Sequence, residues 1–189
     1  MELKESKKEV NIEESLIKPF INELNVVGKE GVYNRFTNTY NIQVLKELNT
    51  RYNVSESYLL PSGMSAISTI INAINKTNKN NTYCIISNEM YVDTKNVFEY
   101  VSNNIIFIDI TNIEEIINTV IKFTNFDNYV IMFLESCSNP NGKIMNFEII
   151  SNLKKICKNL IIIIDNTWLT DVIFNPFEYF HTSGETVLW

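Results

Sequence analysis

From about residue 57 onward, short and uninterrupted apolar runs alternate with segments whose apolar residues recur every three or four positions. Such runs are typical of strands buried on both faces, and the recurring positions predict amphipathic helices. The expected strands are Tyr83–Ile86, Ile105–Ile108, Tyr129–Leu134 and Leu160–Ile164. The expected helices begin after Ser62-Gly63 and cover about residues 92–101, 112–123 and 146–158. Repeated strand–helix units predict an α/β fold, a three-layer sandwich with a mostly parallel sheet.

The first part of the chain lacks this alternation. Residues 1–12 are charged and aperiodic, which predicts a loose terminus, whereas residues 13–24 and 41–51 have the pattern of helices. The remaining sequence contains no internal repeat and no interdomain linker. We therefore expect residues 1–55 to form an N-terminal arm with helices, and residues 56–189 to form the α/β domain.

Charge and cysteine usage argue against several classes of function. With 16 basic against 22 acidic residues, a broad nucleic-acid-binding face is not expected. Cys84, Cys137 and Cys157 lack the spacing of a metal site and favour reduced thiols. The charged start is not a secretory signal, and the longest apolar run, Leu160–Ile164, is too short to cross a membrane. We expect a cytoplasmic protein with no metal, nucleic-acid or membrane partner.

Ligands of open α/β sheets bind beyond the carboxyl ends of the strands. That rule selects Ser87–Tyr91, Glu135–Asn139 and Asp165–Thr167. Asp165 directly follows four isoleucines, so its carboxylate is partly removed from water and needs a partner. It either caps a loop or helix start, or it is the counter-charge of a cation such as a protonated ring nitrogen.

Other residues also have two interpretations. Ser62-Gly63-Met64 opens a helix in a chain with only 5 Gly, and it is either an anion site or an ordinary N-cap. Arg35 suits a phosphate or carboxylate, or it is a solvated loop arginine. Tyr91 is either a stacking platform for a flat ligand or a surface aromatic. His181 is the only histidine, and without a nucleophile elbow it does not favour a histidine-dependent hydrolase.

A series of short motifs runs along the chain in a distinctive order and spacing. They are Tyr33-x-Arg35, Ser62-Gly63-Met64-x-Ala66, Tyr91, Glu135-Ser-Cys-Ser-Asn139-Pro140, Asp165-Asn166-Thr167-Trp168-Leu169-Thr170 and Asn175-Pro176. The series resembles the cysteine/methionine-metabolism (transsulfuration) family of pyridoxal-phosphate (PLP) enzymes, which includes cystathionine γ-synthase, cystathionine lyases and methionine γ-lyase. The resemblance implies the large domain of the fold type I, PLP-dependent transferase-like enzymes.

The resemblance also implies a role for each matching position around the cofactor ring. Tyr91 would stack on the pyridine ring, and Asp165 would pair with the ring nitrogen and keep it protonated. Thr167 would lie close to the ring, and Asn139 would lie near its 3-hydroxyl. Glu135 would support the same edge without touching the cofactor.

The remaining implied contacts concern the phosphate. Gly63 and Met64, which follow Ser62, would donate backbone N–H groups to it. Tyr33 and Arg35 would reach the phosphate of a neighbouring subunit's cofactor. That role implies a homo-oligomer with shared sites.

Two departures from the family pattern bear on activity. After Tyr91 the family has two glycines, whereas this chain has Val92-Asp93. The family's Schiff-base lysine follows the ring-nitrogen aspartate in a Ser-x-Thr-Lys segment, whereas the last lysine here is Lys158. The chain therefore resembles a truncated large domain whose C-terminal small domain is absent, and we expect PLP to bind without covalent attachment.

These observations lead to three hypotheses. The first is a PLP-dependent lyase or transferase acting on sulfur amino acids, such as cystathionine, cysteine, homocysteine or methionine, present as an incomplete and inactive chain. The second is an inactive remnant or regulatory partner that dimerises with a full-length relative. The third is a small α/β domain that binds another phosphorylated ligand at Ser62–Met64.

Overall fold

A computed structural model of the chain describes residues 39–54, 56–79, 81–177 and 187–188. The chain divides into two units between Leu59 and Leu60. In the first unit, helix α1 covers Thr39–Tyr52, which confirms the helix predicted over 41–51. The helix predicted over 13–24 lies outside the described residues.

The second unit is built on a parallel sheet. Its strands are β1 Tyr83–Ser87, β2 Asn104–Ile108, β3 Val130–Glu135, β4 Leu160–Asp165 and the short β5 Val187–Leu188. They lie in the order β2-β1-β3-β4-β5, and every neighbouring pair is parallel. The first four strands begin and end within one residue of the limits that the apolar runs predict.

Helices precede, separate and follow the strands. They are α2 Gly63–Thr77, α3 Val92–Val101, α4 Ile113–Ile121, α5 Ile150–Ile156 and α6 Thr170–Ile173. Ser62 and Ser65 form a reciprocal capping box at the start of α2. The single helix predicted over 146–158 is instead two segments, because a 3-10 turn at Phe147–Ile149, capped by Asn146, precedes α5.

Two hydrophobic cores lie on opposite faces of the sheet, because successive strand residues point to opposite sides. On one face, strand residues pack with residues of α2 and α3, including Ile71 and Phe98, whose ring lies 5.2 Å from that of Phe133. On the other face they pack with residues of α4 and α5, including Ile116 and Leu153. The strand residues of the first face are Cys84, Ile86, Ile131, Phe133 and Ile163, and those of the second include Ile85, Met132, Leu134, Ile162 and Ile164. The predicted three-layer α/β architecture is thus confirmed.

Buried polar side chains stabilise the edge of the sheet at which the strands begin. The Asn78 side chain accepts from the Tyr129 N–H at 3.1 Å and donates to the Tyr129 carbonyl at 2.7 Å. Thr82 donates its hydroxyl to Asn75 Oδ1 at 2.8 Å. The composition of the asparagine-rich stretch 72–81 predicts a solvated helix end and loop, but Asn75 and Asn78 are buried because they hold this network.

Candidate functional site

The carboxyl ends of β3 and β4 place two carboxylates side by side. Glu135 and Asp165 are register partners in the parallel pair. The backbone N–H of Ser136 donates to the Asp165 carbonyl at 2.9 Å, which extends the pairing one residue beyond the strand. The rule that ligands bind beyond the carboxyl ends of the strands, here called the edge rule, therefore selected Glu135 and Asp165, and the fold brings these two residues together.

Glu135 is buried, with 3% of its surface exposed, and it connects two loops. Its Oε1 accepts from the Tyr91 N–H at 2.7 Å, and its Oε2 accepts from the Asn139 N–H at 2.9 Å. Burial raises the pKa of this carboxyl, which the two N–H donors partly offset and the Asp165 charge reinforces. Both carboxylate oxygens thus accept hydrogen bonds from the backbone. The role of Glu135 in the described structure is to hold together the loops that follow β1 and β3.

Asp165 is half-buried, and one of its oxygens is occupied. Its Oδ1 accepts from the Thr167 N–H at 2.9 Å and from the Thr167 hydroxyl. Its Oδ2 accepts no hydrogen bond, and Asp165 takes part in no ion pair, within the described part of the chain. Asp165 therefore caps a turn with one oxygen and keeps the other available for a cation.

The start of α2 offers donors for an anion at the same edge of the sheet. Ser62 Oγ accepts from the Ser65 N–H at 3.1 Å, whereas the N–H groups of Gly63 and Met64 have no acceptor among the described residues. Apart from its chain neighbours and the backbone of its own helix, a Cβ at Gly63 would meet no atom of the described residues within 4 Å, so these residues leave the space beside Gly63 open. Unpaired N–H groups at the positive end of a helix favour a phosphate or another anion.

Tyr91 precedes α3 and exposes 43% of its surface. Its hydroxyl donates to Asp93 Oδ2 at 3.1 Å, and that hydrogen bond is the main cause of its raised pKa. Thr94 lies in the first turn of the same helix and contacts Met64, with 3.8 Å between Oγ1 and Sδ. The Tyr91 loop and the start of α2 are therefore neighbours.

These contacts link most of the predicted site. Glu135 binds the backbone of Tyr91 and Asn139, its register partner Asp165 binds Thr167, and Thr94 connects the Tyr91 loop to Met64. The two remaining predicted residues, Tyr33 and Arg35, lie outside the described residues. Within those residues, no cluster of His, Cys, Asp or Glu could hold a metal ion. No helix of the described ranges is long and apolar enough to cross a membrane.

Sequence reasoning missed a cluster of charges beside this site. Lys143 Nζ lies 2.7 Å from Glu89 Oε1 and 3.6 Å from Asp109 Oδ2. Lys143 lowers the pKa of Glu89, and Glu89 in turn raises the pKa of Lys143. The Thr111 hydroxyl is the main cause of the lowered pKa of Asp109. Glu89 lies within the range Ser87–Tyr91 that the edge rule selects, although the sequence predicts no role for it. Asp109 directly follows β2, so the same rule could have indicated it.

Two buried polar atoms at the same edge have no hydrogen-bond partner in the described part of the chain. Ser136 Oγ and Asn166 Oδ1 are buried without a hydrogen bond, although the Asn166 amide donates to the Phe174 carbonyl at 2.7 Å. Each residue directly follows one of the paired carboxylates, Glu135 and Asp165. Both residues lie within the ranges Glu135–Asn139 and Asp165–Thr167 that the sequence selects, but the sequence predicts no role for either of them.

A sequence model of the family described as Cys/Met metabolism PLP-dependent enzyme matches residues 19–180. A search of the curated proteins finds no match. Among solved structures, the chain is similar to an apo methionine gamma lyase from Micromonospora echinospora, with a TM-score of 0.59 and 17% identity over 74% of this chain and 36% of that one.

Two further structures are similar. One, from Campylobacter jejuni, is described as an O-acetylhomoserine (thiol)-lyase and carries a pyridoxyl-lysine; its TM-score is 0.62 at 20% identity, over 96% of this chain and 42% of that one. The other is metB from Corynebacterium glutamicum, with a TM-score of 0.57 at 22% identity, over 71% of this chain and 34% of that one. At these identities the similarity is one of fold. The chain spans less than half the length of each of the three structures.

Proposed function

Because the chain belongs to the Cys/Met metabolism family of PLP-dependent enzymes, we propose that its residues form the cofactor-holding half of a site that acts on sulfur amino acids. The observation that carries this proposal is the pairing of an open helix start at Gly63 and Met64 with the available oxygen of Asp165. Both lie at one edge of the sheet, where an anion and a cation of the same ligand can be bound.

The residues at this edge have the donors and acceptors that PLP requires. Its phosphate suits the N–H groups of Gly63 and Met64 beside Ser62. Its protonated ring nitrogen suits Oδ2 of Asp165. The exposed ring of Tyr91 is available for stacking, and Asn139 is half-buried with its backbone fixed by Glu135.

PLP, when bound, supplies an electron sink for bonds to the substrate's α-carbon. The Asp165 carboxylate would hold the proton on the ring nitrogen, because its negative charge favours the protonated form. Thr167 would keep that carboxylate in place through its two hydrogen bonds to Oδ1. Glu135 would keep Tyr91 and Asn139 at a fixed separation.

The family description and the names of the similar structures, which include a methionine gamma lyase, support the proposed substrate class. Within the 189 residues, the last lysine is Lys158, which precedes Asp165. We therefore propose that these residues bind PLP by noncovalent contacts, and that the 189-residue polypeptide alone is not an efficient catalyst. Tyr33 and Arg35 would complete the phosphate site of a neighbouring copy in a homo-oligomer.

Titration of the purified protein with PLP, followed by visible absorbance and circular dichroism, tests this proposal. We expect saturable binding with an induced dichroic band, and weaker binding by Asp165→Asn. Asp127→Asn is the matched control, since Asp127 is exposed and lies at the opposite edge of the sheet, before β3. Folded protein without saturable binding would contradict the proposal and favour a regulatory partner that dimerises with a full-length relative.

Borohydride reduction of the PLP-bound protein tests the noncovalent part separately. We expect no stoichiometric pyridoxyl-lysine after digestion and mass spectrometry. A single lysine that is fully modified and that is protected from modification by a PLP analogue without the aldehyde would show covalent attachment within this chain.

A further inference from the structure

Three loops at the carboxyl edge of the sheet converge on the side chain of Lys143. Glu89 belongs to the loop after β1, Asp109 follows β2, and Lys143 lies in the loop after β3. The Lys143 ammonium group lies 2.7 Å from Glu89 and 3.6 Å from Asp109. We call these three residues the edge clasp.

We propose, on the basis of the function proposed above, that Lys143 is a positioning residue of the cofactor site. Through Glu89 it fixes the two loops that carry Tyr91 and Asn139. Lys143 itself need not touch the cofactor.

Both oxygens of Glu89 are bound to the loop after β3. Oε1 contacts the Lys143 ammonium, and Oε2 accepts from the Ser138 hydroxyl at 3.1 Å. The same Ser138 oxygen accepts from the Lys143 N–H at 3.0 Å. Glu89, Ser138 and Lys143 thus form a closed ring of hydrogen bonds, which restricts both loops more than one isolated ion pair would.

The loop after β3 is folded so that Lys143 returns toward Ser138. The Ser138 N–H donates to the Lys143 carbonyl at 2.8 Å, and the Gly142 N–H donates to the Ser138 carbonyl at 2.8 Å. Gly142 has a φ of +68°, a conformation that glycine adopts without steric cost. This fold of the loop brings the ammonium group of Lys143 to the loop after β1.

The edge clasp complements the contacts of Glu135. Glu135 holds the backbone of Tyr91 and of Asn139 from the buried side. Glu89 lies two residues before Tyr91, and its partner Ser138 directly precedes Asn139, so the contact between Glu89 of the clasp and Ser138 holds the same two loops at a second point. Two points of attachment fix the direction of a loop, whereas one point leaves it free to rotate. The ring of Tyr91 is exposed, so its direction depends on the loop more than on packing.

The test compares PLP binding by the wild-type protein, Lys143→Met, Lys143→Arg and Lys155→Met. Methionine keeps the unbranched stem of the lysine side chain up to the ε position without its ammonium group, and arginine restores the charge. Lys155 is an exposed lysine of α5 outside the clasp and serves as the matched control. Each protein is measured for its PLP dissociation constant, for the dichroic band at saturating PLP, and for its free energy of unfolding without PLP.

We expect Lys143→Met to weaken PLP binding by about tenfold, because the loops released from the clasp would have to become ordered when PLP binds. The dichroic band per bound PLP should fall, because the ring of Tyr91 is less fixed. Lys143→Arg should restore both, and Lys155→Met should change neither. An effect of Lys143→Met on unfolding alone, or a loss that arginine does not restore, would show a merely structural role and overturn the proposal.

A second variant covers the case in which Lys143→Met does not fold. Glu89→Gln removes the carboxylate charge that lies nearest to Lys143 and keeps an oxygen for the Ser138 hydroxyl, and it should reproduce the loss of PLP affinity. Wild-type affinity and dichroism in Lys143→Met or in Glu89→Gln would overturn the role of the clasp while leaving the proposed function intact. Failure of the wild-type protein to bind PLP would overturn both.

Discussion

Glu135 accepts a hydrogen bond from the backbone of Tyr91, 44 residues earlier in the chain, with 2.7 Å between Oε1 and N. This contact joins the end of β3 to the loop that follows β1, its neighbour in the sheet. The other oxygen of Glu135 binds the Asn139 N–H, so a single buried side chain sets the separation of two proposed cofactor contacts. The relative position of Tyr91 and Asn139 thus depends on Glu135, whose two carboxylate oxygens already accept hydrogen bonds from the backbone.

Glu135→Gln tests that dependence. The NH2 group of the glutamine amide cannot accept a hydrogen bond. Either the Tyr91 N–H or the Asn139 N–H therefore loses its acceptor at a buried position. We expect the free energy of unfolding at neutral pH to fall by about 1–2 kcal/mol, as measured by urea denaturation. Glu148→Gln, an exposed glutamate in the 3-10 turn, should leave it unchanged. Equal stability of both variants would show that the two N–H groups find other acceptors.

The pH dependence of stability should differ in sign between Glu135 and Glu89. The pKa of Glu135 is raised by burial, so the folded protein binds this proton more tightly than the unfolded chain. Its contribution to stability is therefore present below the ordinary pKa of 4.5 and is lost as the pH rises through the raised value. The pKa of Glu89 is lowered by Lys143, so its contribution is present above 4.5 and is lost as the pH falls through the lowered value.

Urea denaturation at a series of pH values checks these signs. Relative to Glu135→Gln, the wild-type protein should lose stability as the pH rises above 4.5. Relative to Glu89→Gln, it should gain stability as the pH rises toward 4.5 from the range just below. Carboxyl-carbon NMR titration gives the same comparison directly, with Glu135 expected to titrate at a higher pH than Glu89. The reverse order would contradict the assigned causes.

The sheet could be predicted because its strands are buried on both faces. Residues 130–135 are all buried, and such a strand leaves an unbroken apolar run in the sequence. The division of residues 146–158 into a 3-10 turn and α5 could not be predicted, because Phe147, Ile150 and Leu153 are spaced by three residues and share one face in either conformation. The burial of Asn75 and Asn78 could not be predicted either, since burial of an asparagine depends on distant partners such as Tyr129.

The candidate site could be located, but its supporting contacts could not. Strand ends are visible in the sequence, and the edge rule therefore identified Glu135 and Asp165. The edge clasp depends on three loops from three strands, and Lys143 is eight residues beyond the end of β3. No local sequence pattern indicates that the loop after β3 brings Lys143 back to the carboxyl edge of the sheet. The roles of Ser62, Gly63, Met64, Tyr91, Asn139 and Thr167 toward a cofactor stay predictions.

Gly63→Ala separates stability from phosphate binding. An added Cβ would meet no atom of another part of the described chain within 4 Å, and alanine favours the helix more than glycine does. We expect unchanged or slightly higher thermal stability, together with weaker PLP binding, because the methyl group occupies the space in which a phosphate approaches the N–H groups. Gly142→Ala is the contrasting control: its φ of +68° disfavours alanine, so it should lower stability by about 1 kcal/mol. Unchanged PLP affinity in Gly63→Ala would place the phosphate elsewhere.

Asn78→Ala should destabilise the fold more than Glu135→Gln or Gly142→Ala does. Asn78 is 4% exposed, caps the end of α2 and binds both backbone groups of Tyr129. It also donates to the Thr82 hydroxyl at 3.1 Å. Alanine would leave the Tyr129 N–H and carbonyl without partners, which predicts a loss of about 2–3 kcal/mol in the free energy of unfolding.

The matched control for this substitution is Asn72→Ala in the same helix. Asn72 is exposed, and its amide bonds only within α2, to the Ser68 carbonyl at 2.8 Å and to the Ser68 hydroxyl. Alanine has the higher helix propensity, so this variant should match or exceed the wild-type stability in urea denaturation. Since Asn78 lies at the edge where the strands begin, opposite the candidate site, PLP affinity at a temperature where both variants are folded should equal that of the wild-type protein. Equal denaturation midpoints for the two variants would show that Asn78 is replaceable by water.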